Sequence, residues 1–110
     1  MKAKTKEEWL EWYREHGGGE NLELAPDEIV YFHPEHGFIT YFRHDDILEL
    51  HHMVGDGKFW QKFIVDVIMK FYKLKKIRAF TRRNPEAWIR KYGGHIRGYY
   101  MEADIDELKL

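Results

Sequence analysis

The sequence predicts an α+β domain on a mixed sheet: an antiparallel meander, a β-α-β crossover, a short helix and a final strand, with one N-terminal helix. Three observations predict it. Residues 28–54 contain short runs rich in β-branched and aromatic residues, separated by the turn clusters Pro34-Glu35-His36-Gly37 and His44-Asp45-Asp46. From Phe59 the apolar residues recur instead in pairs every four positions, which is helical spacing. A further strand-like run, Lys76 to Arg82, follows that helix, so the chain returns to the sheet it left.

Each element has a local reason. Thr5 to His16 opens with Thr5 as N-cap and Glu8 three residues later, the spacing of a capping box, and Trp9, Leu10, Trp12 and Tyr13 form its apolar stripe. Gly17-Gly18-Gly19 ends this helix and offers it a hinge. Strands are expected over Glu28–His33, Phe38–Arg43 and Ile47–Val54. Strict alternation in the third puts Leu48, Leu50, His52 and Val54 on one face and Ile47, Glu49, His51 and Met53 on the other. His51 and His52 then face opposite ways, and only one of them enters a given site.

The helix from Phe59 to about Lys73 is expected to bury Phe59/Trp60, Phe63/Ile64, Val67/Ile68 and Phe71/Tyr72 against the sheet. Gln61, Lys62, Asp66, Lys70 and Lys73 form its wet side. Asn84 caps and Pro85 opens a short helix that ends at Gly93-Gly94, and one strand from His95 to Ala103 closes the core. Residues 104–110 read as an acidic, frayed tail.

A length of 110 residues with 44% apolar and 16% aromatic content predicts a single packed domain over residues 1–110. No apolar run approaches the roughly 20 residues of a bilayer span, and no apolar stretch follows Met-Lys-Ala-Lys-Thr-Lys, so a cytoplasmic protein without membrane contact is expected. The absence of cysteine excludes disulfides, zinc–thiolate sites and thiol catalysis. The seven histidines lack compact ligand spacing, and no metal site is expected.

The net charge of −1 conceals a segregation. Residues 1–69 carry 7 Lys and Arg against 14 Asp and Glu, residues 70–97 carry 10 against 1, and residues 98–110 carry 1 against 4. A basic middle points to an anionic ligand or partner, and the acidic first half argues against nucleic acid covering the whole surface.

The turn His52-Met53-Val54-Gly55-Asp56-Gly57-Lys58 joins the third strand to the long helix. A glycine turn at a helix start exposes N–H groups without intrahelical partners beside the positive end of the macrodipole, which is anion-binding geometry. Asp56 works against an anion there unless its side chain turns outward, and Lys58 favours one.

This order of elements, with His-x-x-Gly-x-Gly at 52–57 and Asn84 after the next strand, resembles the GCN5-related N-acetyltransferase (GNAT) superfamily over residues 28–103. The tract Arg83-Asn84-Pro85-Glu86-Ala87-Trp88 through Gly98-Tyr99-Tyr100-Met101-Glu102 is similar to small GNAT-like proteins of tailed phages, which implies a phage protein in the host cytoplasm. The resemblance implies acetyl-CoA as cofactor, its pyrophosphate on the backbone of Met53, Val54, Gly55, Asp56, Gly57 and Lys58, with Asn84 assisting. It further implies transfer of the acyl group to an amine acceptor, with Glu49 as general base and Tyr92 or Tyr99 as the acid. Lys76, Arg78, Arg82 and Arg83 would contact phosphate or a partner.

The chain also departs from the family pattern. His52 stands in place of Gln or Arg, Lys91 stands seven residues beyond Asn84 where a tyrosine is expected, and one helix replaces the first strand and helix pair. A second function is therefore weighed beside the enzyme: a catalytically degenerate phage-type protein that binds a host defence or replication protein. The third is nucleic-acid binding through residues 70–97, with tyrosines as stacking surfaces. A homodimer is a further expected partnership, suggested by the aromatic residues near the amino terminus.

Overall fold

The computed structural model describes residues 3–16, 22–79, 85–97 and 100–109. Helix α1 (Lys6–His16) precedes strands β1 (Ile29–His33), β2 (Gly37–His44) and β3 (Ile47–Gly55). Next, α2 (Gly57–Phe63), a π-helical stretch (Ile64–Met69) and α3 (Lys70–Tyr72) run end to end as one main helix. Strand β4 (Lys76–Ala79), short helix α4 (Pro85–Tyr92), strands β5 (His95–Arg97) and β6 (Tyr100–Asp104) and a 3₁₀ turn (Ile105–Glu107) complete the chain.

All six strands form one sheet in the order β1-β2-β3-β4-β6-β5. Among the described residues only β3 and β4 pair in parallel, as the main helix between them requires, and the other pairings are antiparallel. The mixed α+β class, the meander and the crossover therefore agree with the sequence reading. Residues 80–82 of the expected fourth strand, Asn84 as cap and the Gly17–Gly19 hinge lie outside the described residues.

Four local expectations are corrected. The closing strand is two strands, with Arg97 opposite Tyr100 and β6 inserted between β4 and β5. Two residues, one of them glycine, separate the runs, which is hairpin spacing inside what alternation reads as one strand. The tail is docked: Asp104 and Glu107 form a capping box, Leu108 bridges Gly93, and the Lys109 N–H donates to the Tyr92 carbonyl at 2.8 Å.

The third correction concerns β3. Thr40 pairs with His52 but Tyr41 pairs with Leu50, so His51 is the extra residue of a β-bulge. The bulge shifts the alternation downstream of it. Leu48, Leu50 and Met53 join the main core, whereas Val54 packs with Phe38 and Trp9 in a second cluster beneath α1.

The fourth concerns the main helix. Trp60, Ile64, Ile68 and Met69 are buried against the sheet, but Val67 is 49% and Phe71 76% exposed, and Tyr72 is exposed with the Arg43 guanidinium over its ring. Gln61, expected in water, is buried and donates to the Tyr92 carbonyl at 3.0 Å, because the end of α4 lies over that side of the helix.

Candidate functional site

The turn from β3 into the main helix is built from inside its own chain. The Asp56 carboxylate caps the helix, accepting from the Phe59 N–H at 3.1 Å, and its other oxygen lies 3.1 Å from His36 Nδ1. The Asp56 N–H donates to the His36 carbonyl at 2.9 Å. The Phe59 amide, the His36 imidazole and the Lys58 amide hold the Asp56 carboxyl below the usual range. Its side chain thus turns inward, onto the N–H groups an anion would use.

Lys58 points away from the turn. Its ammonium donates to the carbonyls of Lys91 at 3.0 Å and Lys109 at 3.1 Å, tying the helix start to the end of α4 and to the tail. Tyr92 is buried, and its hydroxyl lies where a Cβ on Gly57 would come within 1.9 Å of it. At Gly55, with φ of +100°, a Cβ would meet the His36 carbonyl oxygen at 2.3 Å. Packing and backbone angle therefore account for both glycines of the Gly-x-Gly pattern. Met53 and Val54 flank the turn from the two cores. Asn84 lies outside the described residues, as do Tyr99, Arg82 and Arg83.

The second constellation surrounds the bulge. Glu49 Oε2 lies 2.9 Å from His51 Nε2, and His44 Nε2 approaches the same oxygen at 3.8 Å. Glu28 is nearly sealed, with 3% of its side chain exposed, and its Oε2 has no hydrogen-bond partner among the described residues. That oxygen is 3.6 Å from His52 Nδ1 and 4.0 Å from His51 Nδ1. Both imidazoles consequently approach one carboxylate, where strict alternation would have placed them on opposite faces. The bulge is the reason. His52 Nδ1 is also 2.6 Å from the buried Thr40 hydroxyl, and the edge of Tyr13 from α1 meets its ring.

Alternation alone identifies Glu49 as a candidate but misses its partners. Glu28 is twenty-one residues away in the chain, and a bulge has no reliable signature in a run such as Glu49-Leu50-His51-His52. Glu49 and His51 form a carboxylate–imidazole pair, a combination suited to general-base chemistry, with the other ring nitrogen of His51 turned toward Glu28.

Lys76 and Arg78 are engaged on β4. The buried Glu102 of β6 receives Arg78 Nε at 2.9 Å and lies 3.5 Å from Lys76 Nζ, which also reaches Asp104 at 3.7 Å. A buried carboxylate requires such partners. Among the described residues no group of three or more His, Asp or Glu is arranged to hold a metal ion, and no helix is long and apolar enough to cross a membrane. No family model matches the chain, and neither a curated protein nor a solved structure shows significant similarity to it.

Proposed function

We propose that this chain is a GNAT-like scaffold that acts by binding a macromolecular partner, without acyl transfer. The meander, the parallel β3/β4 crossover and the short helix ahead of the last strands support the scaffold. One observation carries the functional part: three donors of the β3–helix turn are already engaged within the protein. Asp56 takes the Phe59 amide, His36 takes the Asp56 amide, and Lys58 is spent on two carbonyls of the protein. These contacts argue against the pyrophosphate of acetyl-CoA at this turn. It would have to displace a carboxylate of its own charge sign from the helix start.

Thermal-shift titration with acetyl-CoA tests this reading. A ligand at 100 times its dissociation constant raises stability by about 2.7 kcal/mol, so a binding protein would show a clear rise in Tm. The expected result is no shift at millimolar acetyl-CoA, and a saturable rise would overturn the proposal.

A second reading, N-acylation of an amine, is favoured by the Glu49–His51 pair, in which His51 is the more natural base and Glu49 its orienting group. It predicts that Glu49→Gln and His51→Gln each depress turnover of an amine substrate. Nucleic-acid binding is less favoured, since Lys76 and Arg78 already pair with Glu102.

A further inference from the structure

The C-terminal end of the main helix carries a cleft unrelated to the turn or the bulge. Its volume is about 420 Å³, within the size range of small-ligand and side-chain pockets. Val65, Met69, Leu74 and Ile105 give it apolar walls, the last from the docked tail. Lys70, Lys73 and Lys75 ring it, all exposed, and among the described residues none has a carboxylate within ion-pair distance. Among the described residues Asp66 is the one acidic residue in its lining. Of the acids on the neighbouring tail, Asp104 is paired to Lys76 and Glu107 to His95, and Asp106 is exposed.

We infer that this cleft docks an acidic peptide segment, seating one apolar side chain against Val65 and Ile105, over the buried Met69 and Leu74, while flanking carboxylates meet Lys70, Lys73 and Lys75. The charge complementarity is one-sided: three cations without an ion-pair partner among the described residues surround an apolar depression, so an occupant with carboxylates around a leucine or phenylalanine satisfies both features at once. Lysines also complement the negative end of a helix, which explains charge at Lys70 and Lys73 but not the apolar depression between them. A nucleic-acid strand fits less well. The depression is walled by aliphatic side chains, and of the two exposed aromatic residues nearby, Tyr72 already carries the Arg43 guanidinium at 3.6 Å.

The inference rests on the partner-binding reading but occupies a different surface from the acetyl-CoA turn, so the two fail separately. Fluorescence anisotropy is measured with a fluorescein-labelled peptide bearing leucine and phenylalanine among aspartates and glutamates. Its twin with asparagine and glutamine replacing the acids, and a thymidine oligonucleotide, serve as competitors. The expected result is saturable binding of the acidic peptide, weakened about tenfold in the amide twin and in a Lys73→Glu/Lys75→Glu variant. Ile105→Asp should weaken it comparably, while Lys62→Glu, the same kind of charge reversal elsewhere on the helix, should leave it unchanged. The inference is overturned if the peptide does not bind, if Lys62→Glu matters as much as the cleft lysines, or if the oligonucleotide binds more tightly than the peptide.

Discussion

Asp56 is the residue on which the functional reading turns. It sits at the start of the main helix with extended backbone angles, its carboxylate on the Phe59 amide and beside His36. Replacing an acidic N-cap by alanine costs about 1 kcal/mol, and Asp56→Ala should lower stability by that amount in urea unfolding at neutral pH. The carboxyl titrates below its ordinary value in the folded protein. Its stabilising contribution is therefore complete above the unfolded pKa of about 4 and is lost as pH falls through the lower folded pKa. The wild-type advantage over Asp56→Ala should shrink across that acid window; a difference independent of pH would mean that the carboxylate charge is not what caps the helix. Tyr41 shows the opposite displacement, its phenol pushed up to about 12 chiefly by burial.

Among the elements, the docked tail and the bulge decide most. The 3₁₀ turn places Lys109 where its carbonyl receives Lys58 and its N–H reaches Tyr92, and Leu108 packs on the main core. Removing residues 105–110 deletes the charge-assisted hydrogen bond from Lys58, backbone hydrogen bonds to Lys75 and Tyr92, the Glu107–His95 pair and that apolar contact, among others, and should cost at least about 1–3 kcal/mol. An unchanged urea midpoint would show the tail to be a passenger. The bulge at His51 lets β3 serve two cores, sending Leu48 and Leu50 under the main helix and Val54 under α1. The same offset brings His51 and His52 to Glu28.

At the scale of the whole molecule, one sheet separates a large core under the main helix from a small one under α1. The main helix is two-sided in energy as well as in geometry. Ile68, 2% exposed, should cost about 2–5 kcal/mol when cut to alanine, because it leaves a cavity against the sheet. Phe71, three residues on and 76% exposed, should cost no more than about 0.5 kcal/mol. Comparable losses at both positions would place Phe71 in a folded-state contact.

How far the sequence reaches is visible in particular residues. Periodicity and turn chemistry by themselves determined the α+β class, the three-strand meander, the main helix and its return to a parallel strand, since each depends on neighbours two to four positions apart. The glycine turn and Asp56 were also legible as a pair in tension. Only the tertiary structure decided that tension, because whether a carboxylate turns inward depends on His36, twenty residues away, and on the amide that the helix presents. It decided likewise that Lys58 is consumed, that a bulge joins two histidines to Glu28, and that Lys70, Lys73 and Lys75 surround an apolar cleft. Apart from the cleft, whose lining other than Ile105 falls within residues 65–75, these are contacts between segments distant in the chain, where local spacing carries no information.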